Sequence, residues 1–319
     1  MSAMAKSLRA FQAALLIGWM ALGAAGLVYA RLKGISISAA WPVVAALLMQ
    51  YPFYLVTGFP DLREYLAGQR RFPFYALALS VLPYLICCCG PLPFQWNSLM
   101  RLAAMALALS LWYLVLPPRP VFDLAFLALV AGILLGKYFE PVYPVFHKEK
   151  LVILGHVSLY VIAIMALMLE RRVPEAGYGF LPNAREWRIG ALHYAYFVIV
   201  GLPLALAIHA THLVALRPVW AVAATFLAAL WFGSLTEEFF FRGVLQNWFG
   251  EWTGNGTAAL LLTSLAFGLI HYWFRGWGWV PLGTLLGFCC GRARNQAGGI
   301  RAGVVTHALV VATWRALFA

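Results

Sequence analysis

Apolar runs alternate with short polar breaks along the whole chain, and this pattern predicts membrane-spanning helices. The runs lie at about 10–30, 38–57, 74–92, 100–116, 121–139, 151–170, 191–211, 218–236, 257–274, 278–291 and 302–318. A straight span needs roughly 20 apolar residues, so the shorter runs leave a predicted count of about 8–11 spans. The strict alternation of a membrane β-barrel is absent, and helices are the other structure that satisfies the backbone in lipid. The predicted fold class is all-α, a polytopic transmembrane helical bundle with a polar intramembrane cavity in its C-terminal helices.

Composition supports a membrane protein and argues against nucleic-acid binding. The chain of 319 residues is 63% hydrophobic and 11% charged, whereas soluble domains carry about 25% charged residues. Its formal charge is +12, but no basic run exceeds a pair such as Arg70–Arg71. We therefore expect cationic loops facing anionic membrane lipids. The expected location is multi-pass in a bacterial inner membrane, with the N-terminus inside because Lys and Arg are slightly more frequent in the N-terminal part.

The chain is predicted to have three parts. Residues 1–170 form N-terminal transmembrane helices of unknown role, 171–190 an interfacial segment, and 191–319 the helices that carry most of the polar chemistry. The first run could also be a signal peptide ending at Ala30, but about 21 apolar residues favour a span. In the interfacial segment, Asn183 and Glu186 have the spacing of a capping box and predict a short helix.

Isolated polar groups and cysteines in the apolar runs have mainly structural interpretations. Asp123 and His156 are more typical of satisfied structural groups than of a site. His209 and His212 are interpreted as interfacial rather than as metal ligands. The five cysteines have neither CxxC nor Cys/His spacing and are expected to be small buried hydrophobes; they are Cys87, Cys88, Cys89, Cys289 and Cys290.

The stretch TEEFFFRG, residues 236–243, places two glutamates beside an apolar run, where carboxylates are costly. On a continuing helix Glu238 and Arg242 are i, i+4 neighbours that can form an ion pair. Glu237 points about 100° away and has no local cation. Glu237 is therefore predicted to face a cavity, and the alternative is that all three are a solvated helix end.

Two histidines lie in later runs, and each alone could be a hydrogen-bonded core group. His271 comes near the end of the run 257–274, and His307 lies inside the last run. Ionisable residues placed in this way usually face the interior of a bundle. If they converge with Glu237, one carboxylate and two imidazoles would suffice to deprotonate water and stabilise an oxyanion.

These residues also resemble the motifs of a known family. Glu237-Glu238-x-x-x-Arg242 resembles the EExxxR motif of the CPBP family, the CAAX-protease and bacteriocin-processing (Abi) intramembrane endopeptidases. Phe267-x-x-x-His271 resembles its FxxxH motif, and His307 lies where the third motif begins. The resemblance covers about 215–316. The N-terminal part has only a faint likeness to larger CAAX-protease-related proteins of bacteria.

The resemblance implies a role for each motif residue. Glu237 would be the general base that activates water, with His271 assisting, while Glu238 and Arg242 hold the motif helix. His307 would lie at the oxyanion together with an asparagine four residues later, but this chain has Val311 there. Candidate substitute donors are Thr306, Thr313 and Asn295, or a backbone N–H.

The sequence therefore predicts an intramembrane endopeptidase that uses a glutamate-activated water without a metal or other cofactor. Its substrate would be a protein or peptide cleaved near the membrane surface. Three alternatives remain open. Glu237, His271 and His307 could bind a metal as a two-His-one-carboxylate site. The protein could be a weak or inactive binding, immunity or sorting factor, which Val311 favours. It could also be a transporter, although internal repeats and broken helices are not visible in the sequence.

Overall fold

The computed structural model describes residues 3–68, 71–90, 92–146, 149–173 and 177–318. These residues form twelve helices, counting π-helical turns as parts of the helices they interrupt, and one two-stranded antiparallel sheet. The predicted all-α polytopic fold class is confirmed. By length and composition, seven of the described helices can cross a membrane, or eight if the bent pair 60–68 and 72–88 is one span.

The chain divides into two compact units, Met1–Val173 and Pro174–Ala319. The first unit contains α1 (Ala3–Leu32), α2 (Ile37–Val56), α3 (Pro60–Gly68), α4 (Phe72–Cys88), α5 (Trp96–Val115), α6 (Pro120–Leu135), β1 (Val145–Phe146), β2 (Glu149–Lys150) and α7 (Ile153–Glu170). The second contains α8 (Ala184–Ala207), α9 (Val219–Thr253), α10 (Gly256–Arg275), α11 (Trp279–Ala297) and α12 (Arg301–Leu317). Each predicted apolar run corresponds to one helix, whereas α3 lies in a polar break and was not predicted.

Buried polar side chains of the first unit bind partners on other helices. Asp123 on α6 is fully buried and accepts two hydrogen bonds from Arg171, each 2.8 Å long. Asp123 was interpreted as isolated in the sequence because its partner lies 48 positions away along the chain. Gln50 on α2 donates to the Leu154 carbonyl and the Ser158 hydroxyl, both at 2.8 Å. Such bonds offset the cost of burying polar groups.

The first helix of the second unit begins with the predicted capping box. Asn183 accepts a hydrogen bond from the Glu186 backbone, and the Glu186 side chain accepts one from the Asn183 backbone. The helix that starts there is not a separate short one, because it continues for 24 residues as α8. Glu186 also pairs with Arg301 at 2.9 Å and so connects the starts of α8 and α12.

The core of the second unit contains apolar side chains from α8, α10, α11 and α12. Its buried members include Phe197, Phe267, Leu286, Val310 and Trp314. The helices α10 and α11 approach closely because the glycines facing each other carry no Cβ. A Cβ on Gly283 would lie 3.0 Å from the Gly268 Cα. This packing brings one end of α10 and the middle of α12 next to α9.

Candidate active site

The two motif glutamates lie on α9 between two π-helical segments. These segments are Ala229–Gly233 and Phe239–Leu245, and the α-helical turn Ser234–Glu238 separates them. The helix continues past the three phenylalanines, as the sequence predicted. π-Helical turns are rare and frequently occur at functional sites. These π-helical turns were not predicted from the sequence, because their residues are as apolar as those of the helix around them.

The neighbouring glutamates have different surroundings. The Glu237 side chain is 46% exposed, whereas Glu238 and Arg242 are both fully buried. Arg242 donates to Glu238 Oε1 at 2.9 Å, so the predicted i, i+4 ion pair forms. A buried charge is tolerable when it is paired and hydrogen-bonded. The Arg242 guanidinium also lies over the Phe267 ring, 4.3 Å from its centre.

Glu238 also contacts the third motif. His307 Nδ1 lies 2.9 Å from Glu238 Oε1, the same oxygen that accepts from Arg242. The Glu238–Arg242 pair therefore contacts a candidate catalytic residue as well as joining two turns of the motif helix. Since a carboxylate can only accept, His307 donates through Nδ1, and this bond fixes the orientation of its ring. The His307 side chain is 5% exposed and its Nε2 points toward Glu237.

Glu237 and His307 are separated by a short gap. Glu237 Oε2 lies 3.9 Å from His307 Nε2. This distance is too long for a direct hydrogen bond, and a polar contact of this length can be bridged by water. The carboxylate that the sequence left without a local cation therefore faces one of the two predicted histidines.

His271 on α10 approaches the same region. Its Nδ1 donates to the Phe267 carbonyl at 2.7 Å, so Nε2 carries the free lone pair in the neutral ring. The His271 ring also lies close enough to Glu237, His307 and Arg275 to interact with them electrostatically. Phe267 packs against both imidazoles, with ring centres 4.7 Å from His271 and 5.5 Å from His307.

Two of the three predicted catalytic residues line one pocket. His271 and His307 both line it, together with Val311, and much of its wall is apolar. Glu237 is not among its described lining residues and borders it through the His307 contact. Arg275 and Arg315 also line this pocket. Sequence reasoning missed both arginines, although each lies within the last turn of a helix that carries a motif histidine.

The three side chains considered as substitutes for the missing asparagine donor at position 311 form hydrogen bonds with other groups. Thr306 donates to the Gly190 and Ala302 carbonyls. Thr313 shares a 2.7 Å hydrogen bond with Tyr194, and Asn295 accepts hydrogen bonds from Gln246 and Arg294. None of these three is among the described residues that line the pocket.

A different set of groups has metal-ligand spacing. Among the described residues, Glu238, Cys290 and His307 place ligand atoms within 4.8 Å of one another. The sequence missed Cys290 because it has no motif spacing to the other two. A cation there would compete with Arg242 and with the His307 Nδ1–H for one carboxylate. This set therefore suits a hydrogen-bond network better than a metal ion.

Comparisons with known proteins bear on the C-terminal unit. Residues 218–313 match the family model described as type II CAAX prenyl endopeptidase Rce1-like. No curated protein and no solved structure matches the chain. The matched segment contains all six motif residues named above, so the family that their spacing suggested is confirmed. Residues 218–313 of this integral membrane protein are therefore similar to the type II CAAX prenyl endopeptidases.

Proposed function

We propose that this protein is an intramembrane endopeptidase in which Glu237, assisted by His271, activates a water molecule and His307 stabilises the oxyanion. The observation that carries the proposal is the Glu238–His307 hydrogen bond, which directs Nε2 toward Glu237 across 3.9 Å. The family match supports a CAAX-type endopeptidase acting on a protein or peptide. We further propose that the scissile bond lies near the membrane surface of a bacterial inner membrane.

Each proton of the reaction has an acceptor and a donor in this arrangement. Glu237 accepts a proton from water, and the hydroxide oxygen attacks the carbonyl carbon of the peptide bond. The carbonyl oxygen becomes an oxyanion that accepts a hydrogen bond from His307 Nε2–H. When the C–N bond breaks, the proton on Glu237 passes to the leaving nitrogen. The free Nε2 of a neutral His271 can accept a hydrogen bond from the same water.

This assignment uses both nitrogens of His307 as donors. Nδ1 donates to Glu238 at 2.9 Å, and Nε2, which lies 3.9 Å from Glu237, would donate to the oxyanion. Donors that are already oriented in this way stabilise a developing charge without reorganising.

A second candidate function is a weakly active or inactive binding protein with the same fold. Val311 favours it, because the pocket wall carries an apolar side chain where the family places an amide donor. Losing one oxyanion donor costs about 100- to 1000-fold in rate. The two candidate functions predict different effects of replacing Glu237. An endopeptidase would lose cleavage of its substrate, whereas a binding protein would cleave nothing in either form.

The test compares protein termini in membranes of cells that express the wild type, Glu237→Gln or Glu251→Gln. Glu251 is an exposed glutamate on the same helix, so it serves as the matched control. We expect new termini with the wild type and with Glu251→Gln, and their loss with Glu237→Gln. Identical termini in all three membranes would contradict the proposal and favour the binding protein.

A further inference from the structure

The first unit contains an apolar pocket of its own, which the proposed function does not use. This first-unit pocket has a volume of about 290 Å³ and is bordered by side chains of α1, α2, α3, α4 and α7. Among its described lining residues, Tyr75 has the one polar side chain. The pocket therefore offers an apolar ligand contacts from five helices at once.

The first-unit pocket has a buried floor and a partly exposed opening. The floor consists of four buried residues, Ala76, Leu79, Val161 and Ile162. Phe11 on α1 and Leu66 on α3 also line the pocket but are only half-buried. The opening therefore lies where α1 and α3 border the pocket.

The helix α3 places this opening at the level of the lipid headgroups. It has nine residues and carries Asp61, Arg63 and Glu64. A helix of that length is about 14 Å long, too short to cross a hydrocarbon layer of about 30 Å, and its charges are costly inside that layer. An occupant that enters beside α3 can therefore keep a polar end in the headgroup region while its apolar part reaches the floor.

The lining of the pocket decides which kind of occupant suits it. Buried water needs two to four polar partners, and Tyr75 is the one polar side chain among the described lining residues. An empty apolar cavity loses packing contacts, and the cost rises with its volume. An engineered apolar cavity of about 150 Å³ binds benzene, so a pocket of about 290 Å³ has room for roughly twelve carbon atoms.

We propose that the first-unit pocket binds one acyl chain of a membrane phospholipid, whose headgroup lies beside α3. Acyl chains are the most abundant apolar groups around a bundle of membrane-spanning helices, and an unbranched chain fits a pocket between helices. The bound chain would fill the space between the five helices and stabilise their packing. This inference is independent of the proposed function, because all of its residues lie in the first unit.

The test is photolabelling of the full-length protein, with one copy in each nanodisc. The bilayer contains a phosphatidylcholine with a diazirine at the end of one acyl chain of about twelve carbons. We expect labels on the floor residues as well as on Leu114, a lipid-facing residue of α5 that is 60% exposed. Lipid that only surrounds the protein cannot label the floor, because the floor residues are buried.

Ala76→Leu places additional carbon atoms on the floor of the pocket. Because each buried methylene contributes to the affinity of the chain, labelling of Ile162 should fall by about tenfold or more while labelling of Leu114 stays the same. Ala78→Leu is the matched control, since Ala78 lies on the same helix but outside the described pocket lining, and it should change neither label. If Ala76→Leu does not fold, Val161→Phe fills the same floor from α7.

Labels on Leu114 without labels on the floor would overturn the proposal, as would floor labels that persist at the wild-type level in the filling variant. A protein partner is the other possible occupant, and photo-leucine at position 79 detects it in native membranes. If that position cross-links to another protein while the floor stays unlabelled in single-copy nanodiscs, the pocket is a protein-docking site and the proposal is wrong.

Discussion

Glu237 and Glu238 are adjacent on α9 but point in directions about 100° apart, and this difference determines what each can do. Glu238 is fully buried, where it accepts from Arg242 and from His307 through one oxygen. Glu237 is partly exposed and faces the other nitrogen of the same histidine. In our account Glu238 acts as a positioning residue, because it holds the His307 ring, and Glu237 contacts the reacting water.

Arg242→Ala should strongly destabilise the protein. It would remove the arginine that pairs with the buried Glu238 carboxylate and leave His307 as the remaining donor to it; breaking a buried ion pair typically costs about 3–5 kcal/mol. The measurement is the thermal unfolding midpoint and the yield of detergent-solubilised protein. Arg292→Ala, at an exposed position, should change neither. Glu237→Ala should also remain folded, and if it unfolds while Arg242→Ala does not, the roles of the two glutamates are reversed.

Val311→Asn tests the position where the chain departs from the family motif. Val311 lines the pocket one helical turn after His307, so an asparagine there would point toward the same space. We expect kcat to stay within tenfold of the wild type, because in the proposed mechanism His307 Nε2–H already supplies a donor and an unpaired buried amide costs about 1–3 kcal/mol. A larger increase in kcat with little change in KM would mean that the natural oxyanion hole is incomplete.

At the scale of helices, glycines set the distance between α10 and α11 and thereby the position of His271. A Cβ on Gly268 would clash with the Thr284 side chain and lie 2.6 Å from the Val280 carbonyl. A Cβ on Gly283 would lie 3.2 Å from the His271 ring. Small residues at such contacts let membrane helices pack closely. The site therefore depends on α11, although α11 carries no motif residue.

Gly268→Ala should lower both stability and activity, because the contacted atoms include backbone that cannot rotate away. Gly256→Ala is the matched control at the start of the same helix, where a Cβ would meet nothing within 4 Å. Unfolding midpoints of the two variants in the same detergent provide the comparison. If the midpoints coincide, close packing of α10 against α11 is not what supports the site.

Across the whole molecule, the features that could be predicted from the sequence are those set by residues close together along the chain. The apolar runs predicted the helices. The spacing of Glu238 and Arg242 predicted an ion pair, which is present in the structure. The bond between Glu238 and His307 joins residues 69 positions apart, so it depends on how α9 packs against α12 and has no local signature. The same holds for the Asp123–Arg171 pair.

The two-unit organisation was only partly foreseeable from the chain. The division between the two units falls after Val173 in the sequence, inside the segment 171–190 that has a different composition from its flanks. Whether that segment lies at a membrane interface stays a prediction. The motif residues and the family match both fall in the second unit, so chemistry is expected there. The role of the first unit has no motif to indicate it.

The decisive experiment for the role of Glu237 measures the turnover of purified Glu237→Gln on a peptide bond that the wild type cleaves. Gln keeps the size of the side chain but cannot accept the proton of water at neutral pH. If Glu237 activates the water, kcat should fall by about 100- to 10,000-fold, with an unchanged unfolding midpoint and with Glu251→Gln at the wild-type rate. A folded Glu237→Gln enzyme whose kcat stays within tenfold of the wild type would contradict this role.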